Sequence, residues 1–200
     1  WLVLHSGSRG IGNELATTHI KVACQVFEDA GTVLEDKDLA WLAQGTPEFE
    51  AYIADMLWAQ EYAFANRQEM MRAAMRGFYR FCKLPVLDLA PAETINCHHT
   101  YCTFEDGLWI TRKGAISARD GELGVIPGSM GAASFIVRGK GNPLSYYSSS
   151  HGAGRKMSRG EARRSVPLAD FRAAMGTTVW QEVDAEWLVD ESPQSYKDIA

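Results

Sequence analysis

Long apolar runs are missing from this chain of 200 residues, and none comes near the length of a helix that crosses a membrane. Internal repeats and low-complexity tracts are missing as well. The composition, with 46% apolar and 22% charged residues, is close to that of an average soluble domain. These features argue against a membrane span, a collagen-like repeat and a disordered chain, and they favour one medium-sized domain or two small ones.

Cysteine is sparse: the chain has four cysteines, no CxxC pair and no secretory hydrophobic segment. We therefore expect reduced cysteines and a cytoplasmic location. The chain starts with Trp rather than Met and stops at YKDIA, just after an ordered-looking segment. This predicts one incomplete domain over residues 1–200, an interior fragment without its N-terminal part and its extreme C-terminus.

An overall excess of positive charge is also missing, and the net charge of −5 taken alone argues against a nucleic-acid partner. The charge is unevenly distributed, however. Residues 110–165 hold ten Lys and Arg against three Asp and Glu, a net of +7, whereas residues 1–109 carry −7 and residues 166–200 carry −5. Such a basic middle segment favours a polyanionic partner.

The hydrophobic pattern predicts helices first and strands afterwards. WLVL at residues 1–4 is typical of a strand, and helical spacing predicts helices over about 13–30 and 48–83. Short helices are predicted to open at Ser158, which has capping-box spacing, and to span 168–175. The predicted strands are GLWITR, GAISA, LGVI, ASFIVRG, LSYYSSS and VWQEV. We therefore predict an α+β fold, with long helices in the N-terminal half and mostly β-sheet with glycine-rich loops in the C-terminal half.

Histidines beside glycine-rich or turn-like sequence are the main candidates for chemistry, because imidazole binds metals and attacks phosphorus near neutral pH. His5 heads HSGSRG, and His98 and His99 are adjacent, so that on a strand they would point to opposite faces. His151 lies in SSSHGAGR, where glycines let backbone amides approach an anion and Arg155 adds a forked cation. These positions favour phosphate chemistry.

Several other residues leave alternatives open. His19 lies on the apolar face of its predicted helix and is expected to be structural, whereas Cys97 and His99 would form a metal pair in one alternative. Residues 127–134, PGSMGAAS, can offer amides and hydroxyls to a phosphate or a sugar. Two classes of function follow: a metal-dependent enzyme acting on a phosphorylated nucleic acid or nucleotide, and a non-catalytic nucleic-acid-binding module. The histidine loops favour the enzyme.

The motifs HSGSRGIG, NCHHTY, TRKGAISA, GELGVIPGSMGAAS and SSSHGAGRKMSR occur in that order along the chain. In these motifs, and over essentially all 200 residues, the chain resembles the RtcB family of GTP-dependent RNA-splicing ligases. The resemblance implies an RtcB-like fold, with GTP and two manganese ions used to join RNA 3′-phosphate or 2′,3′-cyclic phosphate ends to 5′-hydroxyl ends through a covalent GMP-histidine. It also implies a role in tRNA splicing or RNA repair, with an archease-like activator as a partner and no membrane involvement.

The resemblance also implies roles for single residues. His151 is the implied nucleophile, and His5 and His99 are the implied manganese ligands. The implied GTP-binding positions are His99, Thr100, Pro127, Gly128, Ser129, Met130, Ser134, His151, Gly152, Ala153 and Gly154. The implied RNA phosphate-binding residues are Arg9, Arg155 and Arg159.

This sequence departs from the family pattern at several points. Thr100 stands where Asn is usual. The family's further manganese ligands, an Asp, a Cys and a His, belong to an N-terminal part that this chain lacks. A guanine-contacting lysine near the family's C-terminus is expected to be absent too, because this chain ends before it. We therefore expect the 200 residues of this chain to hold only part of the metal site. We also expect the isolated chain not to ligate RNA. A relative that repairs or caps nucleic-acid ends, or one that only binds nucleic acid, remains an alternative.

Overall fold

Helices and strands occupy separate stretches of the chain. A computed structural model describes residues 1–85 and 94–199, and the chain divides into two compact units, Trp1–His98 and His99–Ala200. The described part of the first unit is built on two long helices, and the second contains short antiparallel strands and short helices. This arrangement confirms the predicted α+β fold.

Two helices, α1 (Arg9–Asp29) and α2 (Pro47–Cys82), form the first unit. The 36 residues of α2 follow a capping residue, Thr46, whose hydroxyl accepts a hydrogen bond from Phe49 N at 3.3 Å. The prediction of a long helix here is confirmed. Helix α1 starts earlier than predicted, because Gly10 and Gly12 of HSGSRGIG lie in its first turns, whereas Gly7 precedes the helix. The helix thus includes two glycines despite their low helix propensity.

The two helices pack around a buried histidine. The Nε2 atom of His19 lies 2.8 Å from Asp55 Oδ2, and the ring meets Tyr52 edge-on with 5.4 Å between centroids. His19 therefore bridges α1 and α2, in keeping with the structural role expected for it.

In the described part of the second unit, six short strands form three antiparallel pairs. Strand β1 (Thr100–Glu105) pairs with β2 (Leu108–Lys113), β3 (Ala115–Ser117) with β6 (Ser148–Ser150), and β4 (Leu123–Ile126) with β5 (Phe135–Arg138). The β1–β2 hairpin turns through Asp106 and Gly107, which both have positive φ, 51° and 83°. An Asp-Gly pair suits this turn, since it adopts left-handed backbone angles readily.

Three short helices form the apolar core of the second unit: α3 (Arg159–Ser165), α4 (Leu168–Met175) and α5 (Ala185–Leu188). Its buried members are Ala162, Val166, Phe171, Met175, Ala185 and Val189. Ser158 caps α3 by accepting a hydrogen bond from Glu161 N at 3.1 Å, and α4 has its predicted bounds, so both helix predictions are confirmed. Within the described ranges, no helix is both long and apolar enough to cross a membrane.

Two predicted strands are wrong and a third is shorter than predicted. Residues 1–4 and 179–183 form no strand, and Trp1 and Val179 are each 97% exposed. Both segments have strand-like composition, but in the described chain neither has a neighbouring strand to bond with. In LSYYSSS only the last three residues pair, because Tyr146 and Tyr147 adopt left-handed φ of 50° and 52° and break the extended backbone.

Candidate functional site

His151 is held by the backbone at the end of β6. Its N–H donates to the carbonyl of Gly114, just before the partner strand β3, at an N–O distance of 3.3 Å. A Cβ atom placed on Gly114 would lie 3.5 Å from His151 Nε2, and Gly114 has φ of +68°. The His151 imidazole therefore lies against the backbone of Gly114, where any residue with a side chain would be strained.

His99 lies beside His151. The two ring centroids are 5.1 Å apart and the planes are tilted by 30°. The Nδ1 atom of His99 is 3.2 Å from Thr100 Oγ1, a hydrogen bond that orients the ring. The structure thus brings together two histidines that are far apart in the sequence, with Thr100 beside one of them.

The PGSM loop adjoins the loop that follows His151. A Cβ atom on Gly152 would lie 3.6 Å from the carbonyl oxygen of Pro127. Within the PGSM loop, Gly128 N donates to Ser134 Oγ at 3.2 Å, and a Cβ atom on Gly128 would come within 2.2 Å of the carbonyl oxygen of Ala133. The two glycine-rich loops therefore lie side by side, and the PGSM loop closes on itself too tightly to accept a side chain at Gly128.

The rest of the PGSM loop is anchored to the core of the second unit. Met130 packs against the core, and Gly131, with φ of +82°, lies so close to α4 that a Cβ atom would be 2.7 Å from Ala174 O. Ser129 O accepts a hydrogen bond from Ala132 N at 3.0 Å. These contacts hold the loop against the core of the second unit.

A groove of about 350 Å³ lies along the His151 loop, a size in the range of small-molecule sites. Its lining residues include the apolar Ile126 and Phe135, the loop residues Gly152 and Ala153, and the acidic Asp198. Both apolar and polar residues therefore line the groove.

The order of these loops along the chain is that of a known family. The family model described as tRNA-splicing ligase RtcB matches residues 1–200. The chain belongs to the RtcB family.

Individual relatives agree with this assignment. The chain is 43% identical to the RNA-splicing ligase RtcB of Escherichia coli (strain K12), with all of this chain and 50% of the relative covered. It is 31% identical to the RNA-splicing ligase RtcB of Mycobacterium tuberculosis and 30% identical to the tRNA-splicing ligase RtcB of Aeropyrum pernix, with 99% of this chain covered in both and 50% and 46% of the relatives. The chain thus spans about half the length of the curated relatives it matches.

Arg155 of this RtcB-family chain is bonded to the C-terminal segment. Its guanidinium donates to Met157 O at 3.1 Å, to Tyr196 Oη at 2.8 Å and to Asp190 O at 2.6 Å, and it lies over the Tyr196 ring. Backbone bonds from Lys197 N to Gly154 O and from Lys156 N to Ser195 O reinforce this contact. The segment around Tyr196 thereby positions the loop that follows His151.

Arg159 is paired with two carboxylates. Its Nη1 atom donates to Asp190 Oδ2 at 2.8 Å and also to Glu191, while its side chain remains 60% exposed. Burial alone would raise the pKa of Asp190, but the hydrogen bond from Arg159 and the charge of Arg163 outweigh that effect and hold the pKa below its usual value. Asp190 is therefore ionised at neutral pH and offsets part of the positive charge here.

Sequence analysis missed Arg112, a buried arginine that contacts the residues leading into His151. Its guanidinium donates to both carboxylate oxygens of Glu105 at 2.7 and 2.9 Å, to Ser148 Oγ at 2.9 Å and to Tyr146 O at 2.9 Å. The side chain of Arg112 is only 1% exposed. This network ties the β1–β2 hairpin to the residues just before His151. The sequence carries no signal for it, since Arg112 belongs to an otherwise polar TRK run.

The first unit holds the remaining candidates, His5 and Arg9. His5 is exposed in the segment before α1, and Arg9 is the first residue of α1, with a left-handed φ of 58°. Among residues 1–85 and 94–199, no group of three or more His, Cys, Asp and Glu side chains is arranged to hold a metal ion.

Proposed function

We propose that this chain carries the guanylate-transfer centre of an RNA ligase that joins 3′-phosphate or 2′,3′-cyclic phosphate ends to 5′-hydroxyl ends. The observation that carries the proposal is the placement of His151 beside His99, with 5.1 Å between ring centroids, against two glycine-rich loops. Membership of the RtcB family supports the same class of reaction.

His151 would act as the nucleophile. Its imidazole lone pair would attack the α-phosphorus of GTP, forming a P–N bond while pyrophosphate leaves. A 2′,3′-cyclic phosphate end would first be hydrolysed by water to a 3′-phosphate, with cleavage of the bond to O2′. An oxygen of the RNA 3′-phosphate would then attack the α-phosphorus and release His151. Finally the 5′-hydroxyl of the second RNA would attack the activated 3′-phosphate and displace GMP, with a new phosphodiester as product.

The groove beside the His151 loop is a candidate guanine site. The apolar residues Phe135 and Ile126 suit a base, and the amides of the adjoining loop suit its phosphates. Arg155 and Arg159 would hold RNA phosphates. For Arg159, an RNA phosphate would compete with Glu191, which already pairs with the guanidinium.

Manganese fits the chemistry of the residues present, with His5 and His99 each supplying one imidazole. If Nδ1 of His99 donates to Thr100, the ring carries its lone pair on Nε2, the atom that would bind a metal. Next to His5, the buried Ser6 hydroxyl has no hydrogen-bond partner among the described residues. Manganese would neutralise triphosphate charge and orient the departing pyrophosphate.

The test is incubation of the complete protein that contains this chain with α-labelled GTP and Mn²⁺. We expect an acid-labile, alkali-stable GMP adduct, followed by joining of 3′-phosphate and 5′-hydroxyl RNAs. An adduct that passes only to DNA ends would favour the end-capping alternative. Absence of any adduct would favour a relative that only binds nucleic acid.

We predict that His99→Ala raises the Mn²⁺ concentration needed for half-saturation by about 10-fold or more, because one imidazole ligand is lost. His19→Ala is the matched control, since His19 is buried against Asp55 between helices of the first unit. Titration of free Mn²⁺ by electron paramagnetic resonance measures both variants. Equal loss in the two variants would mean that His99 acts only through folding.

We also predict that Gly128→Ala weakens GTP binding by about 10-fold or more, because the new Cβ atom would lie 2.2 Å from the carbonyl oxygen of Ala133 and force the loop to shift. Gly77→Ala, in α2, is the control, because nothing lies within 4 Å of its Cβ position. Equilibrium binding of labelled GTP compares them. Unchanged affinity in Gly128→Ala would remove this loop from the nucleotide site.

A further inference from the structure

Arg67, near the middle of α2, contacts two segments that are distant from it in the sequence. Its Nε atom donates to Asn96 Oδ1 at 2.7 Å and its Nη1 atom donates to Ser6 O at 3.3 Å. The Nη2 atom lies 3.5 Å from His98 Nδ1. One guanidinium therefore contacts the residue after His5 and the residue before His99.

The surroundings of Arg67 indicate a geometric role rather than an ion pair. Burial lowers the pKa of Arg67, and among the described residues no carboxylate forms a salt bridge with it. Its partners are a backbone carbonyl, an amide and an imidazole. A rigid, planar fork of N–H donors suits such a set, because it sets the directions of several acceptors at once.

A second set of contacts ties this cluster back to α2. Asn96 Nδ2 donates to Phe64 O at 3.3 Å, and the ring of His98 lies 5.9 Å from that of Phe64. Phe64 also lies under the Arg67 guanidinium at 5.9 Å. The segment that leads into His99 and the segment that carries His5 are therefore both anchored to one turn of a long helix.

We propose that Arg67 is a positioning residue for manganese binding, acting through the backbone of Ser6 and through the Asn96–His98 segment. This inference rests on the proposed function, which makes His5 and His99 manganese ligands. Without the guanidinium, the segments that carry His5 and His99 would lose a shared anchor and could shift. Each imidazole would then have to become ordered when the metal binds. The affinity for Mn²⁺ would fall, while the chemistry at saturating metal would persist.

The test compares Arg67→Met with Arg72→Met in the complete protein. Arg72 lies on the same helix, is 61% exposed and forms an ion pair with Glu69. We expect Arg67→Met to raise the half-saturating Mn²⁺ concentration by about 10–100-fold, as for other residues that orient metal ligands. We expect the yield of GMP adduct at saturating Mn²⁺ to stay near that of the unmodified protein, and Arg72→Met to change neither quantity.

Two further variants separate positioning from folding. Arg67→Lys keeps the charge but loses the fork, so we expect it to bind Mn²⁺ about as weakly as Arg67→Met. Asn96→Ala removes one hydrogen-bond acceptor of Arg67, so it should raise the half-saturating Mn²⁺ concentration less than Arg67→Met does. If Arg67→Met loses its helical circular dichroism, these milder variants decide the question. Unchanged Mn²⁺ affinity in the folded variants, or a lower adduct yield with unchanged affinity, would overturn the proposal.

The proposed function can fail separately. If the unmodified protein binds Mn²⁺ but forms no GMP adduct, the proposed ligase function is refuted. The Mn²⁺ titration of the Arg67 variants still decides whether Arg67 positions the metal ligands. An unmodified protein that binds no Mn²⁺ would refute both. A protein that forms the adduct, with the same Mn²⁺ affinity in Arg67→Met, would refute only the role of Arg67.

Discussion

His151→Ala in the complete protein is expected to abolish covalent capture of GMP. Alanine has no lone pair to attack the α-phosphorus, and the two glycine-rich loops that surround the position supply only backbone amides and hydroxyls. The measurement is protein-bound label after incubation with α-labelled GTP and Mn²⁺, followed by denaturation. The expected loss is complete, whereas His19→Ala, in the first unit, is expected to label normally.

His99 makes this result decisive, because a second imidazole lies 5.1 Å from that of His151. If the two histidines had exchanged roles, His151→Ala would still be labelled and His99→Ala would not. Persistent labelling of His151→Ala would therefore contradict the assignment, and loss of labelling in His99→Ala would then identify His99 as the nucleophile. With the roles as proposed, His99→Ala is expected to regain labelling at high Mn²⁺ and His151→Ala is not.

Glu105→Ala is expected to destabilise the second unit by about 3–5 kcal/mol, because it would leave the buried Arg112 guanidinium without its carboxylate partner. Arg112 is 1% exposed and Glu105 is 14% exposed, so water can replace little of the lost interaction. Hydrogen exchange of the β1 and β2 amides measures the effect. The adduct yield is expected to fall as well, since Arg112 also bonds to Tyr146 and Ser148 just before His151.

Asp106, the residue next to Glu105, supplies a control for the loss of one negative charge. Asp106 is 73% exposed and lies 3.8 Å from Arg119, and asparagine tolerates its left-handed backbone. Asp106→Asn is therefore expected to change stability by less than about 0.5 kcal/mol. Equal protection of the hairpin amides in Glu105→Ala and Asp106→Asn would contradict the role of the buried pair.

The same pair predicts a pH dependence. Hydrogen bonds from Arg112 hold the pKa of Glu105 below its usual value. The stabilisation is therefore fully present above the unfolded-state value of about 4.3 and is lost as the pH falls through the lower pKa of the folded state. Protection of the hairpin amides should decline in that acid range in the unmodified protein and not in Glu105→Gln.

Local sequence signals predicted much of the scaffold. The long helix predicted over residues 48–83, the capping pair Ser158 and Glu161, and the bounds of α4 all follow from patterns among nearby residues, and the structure confirms them. The order of the histidine and glycine motifs was sufficient to assign the family. These features depend on the local chain, so the sequence contains the information needed to predict them.

Pairings between distant residues were beyond local patterns. WLVL and VWQEV have the composition of strands, yet neither has a strand partner in the described chain. Arg112 and Arg67 look like ordinary polar residues in the sequence, and only the fold brings Glu105 and Ser148 to the first or Ser6 and Asn96 to the second. Burial of a charge depends on which segments close over it.

The sequence by itself determined the two long helices, α3, α4, the family and the candidate histidines, because periodicity, capping and motif order are properties of neighbouring residues. Only the tertiary structure decided that His99 meets His151, that the PGSM loop adjoins Gly152, and that Arg155 is bonded to the C-terminal segment. Each of these contacts joins residues that are tens of positions apart. Their formation depends on the free energy of packing the whole unit and on no local preference.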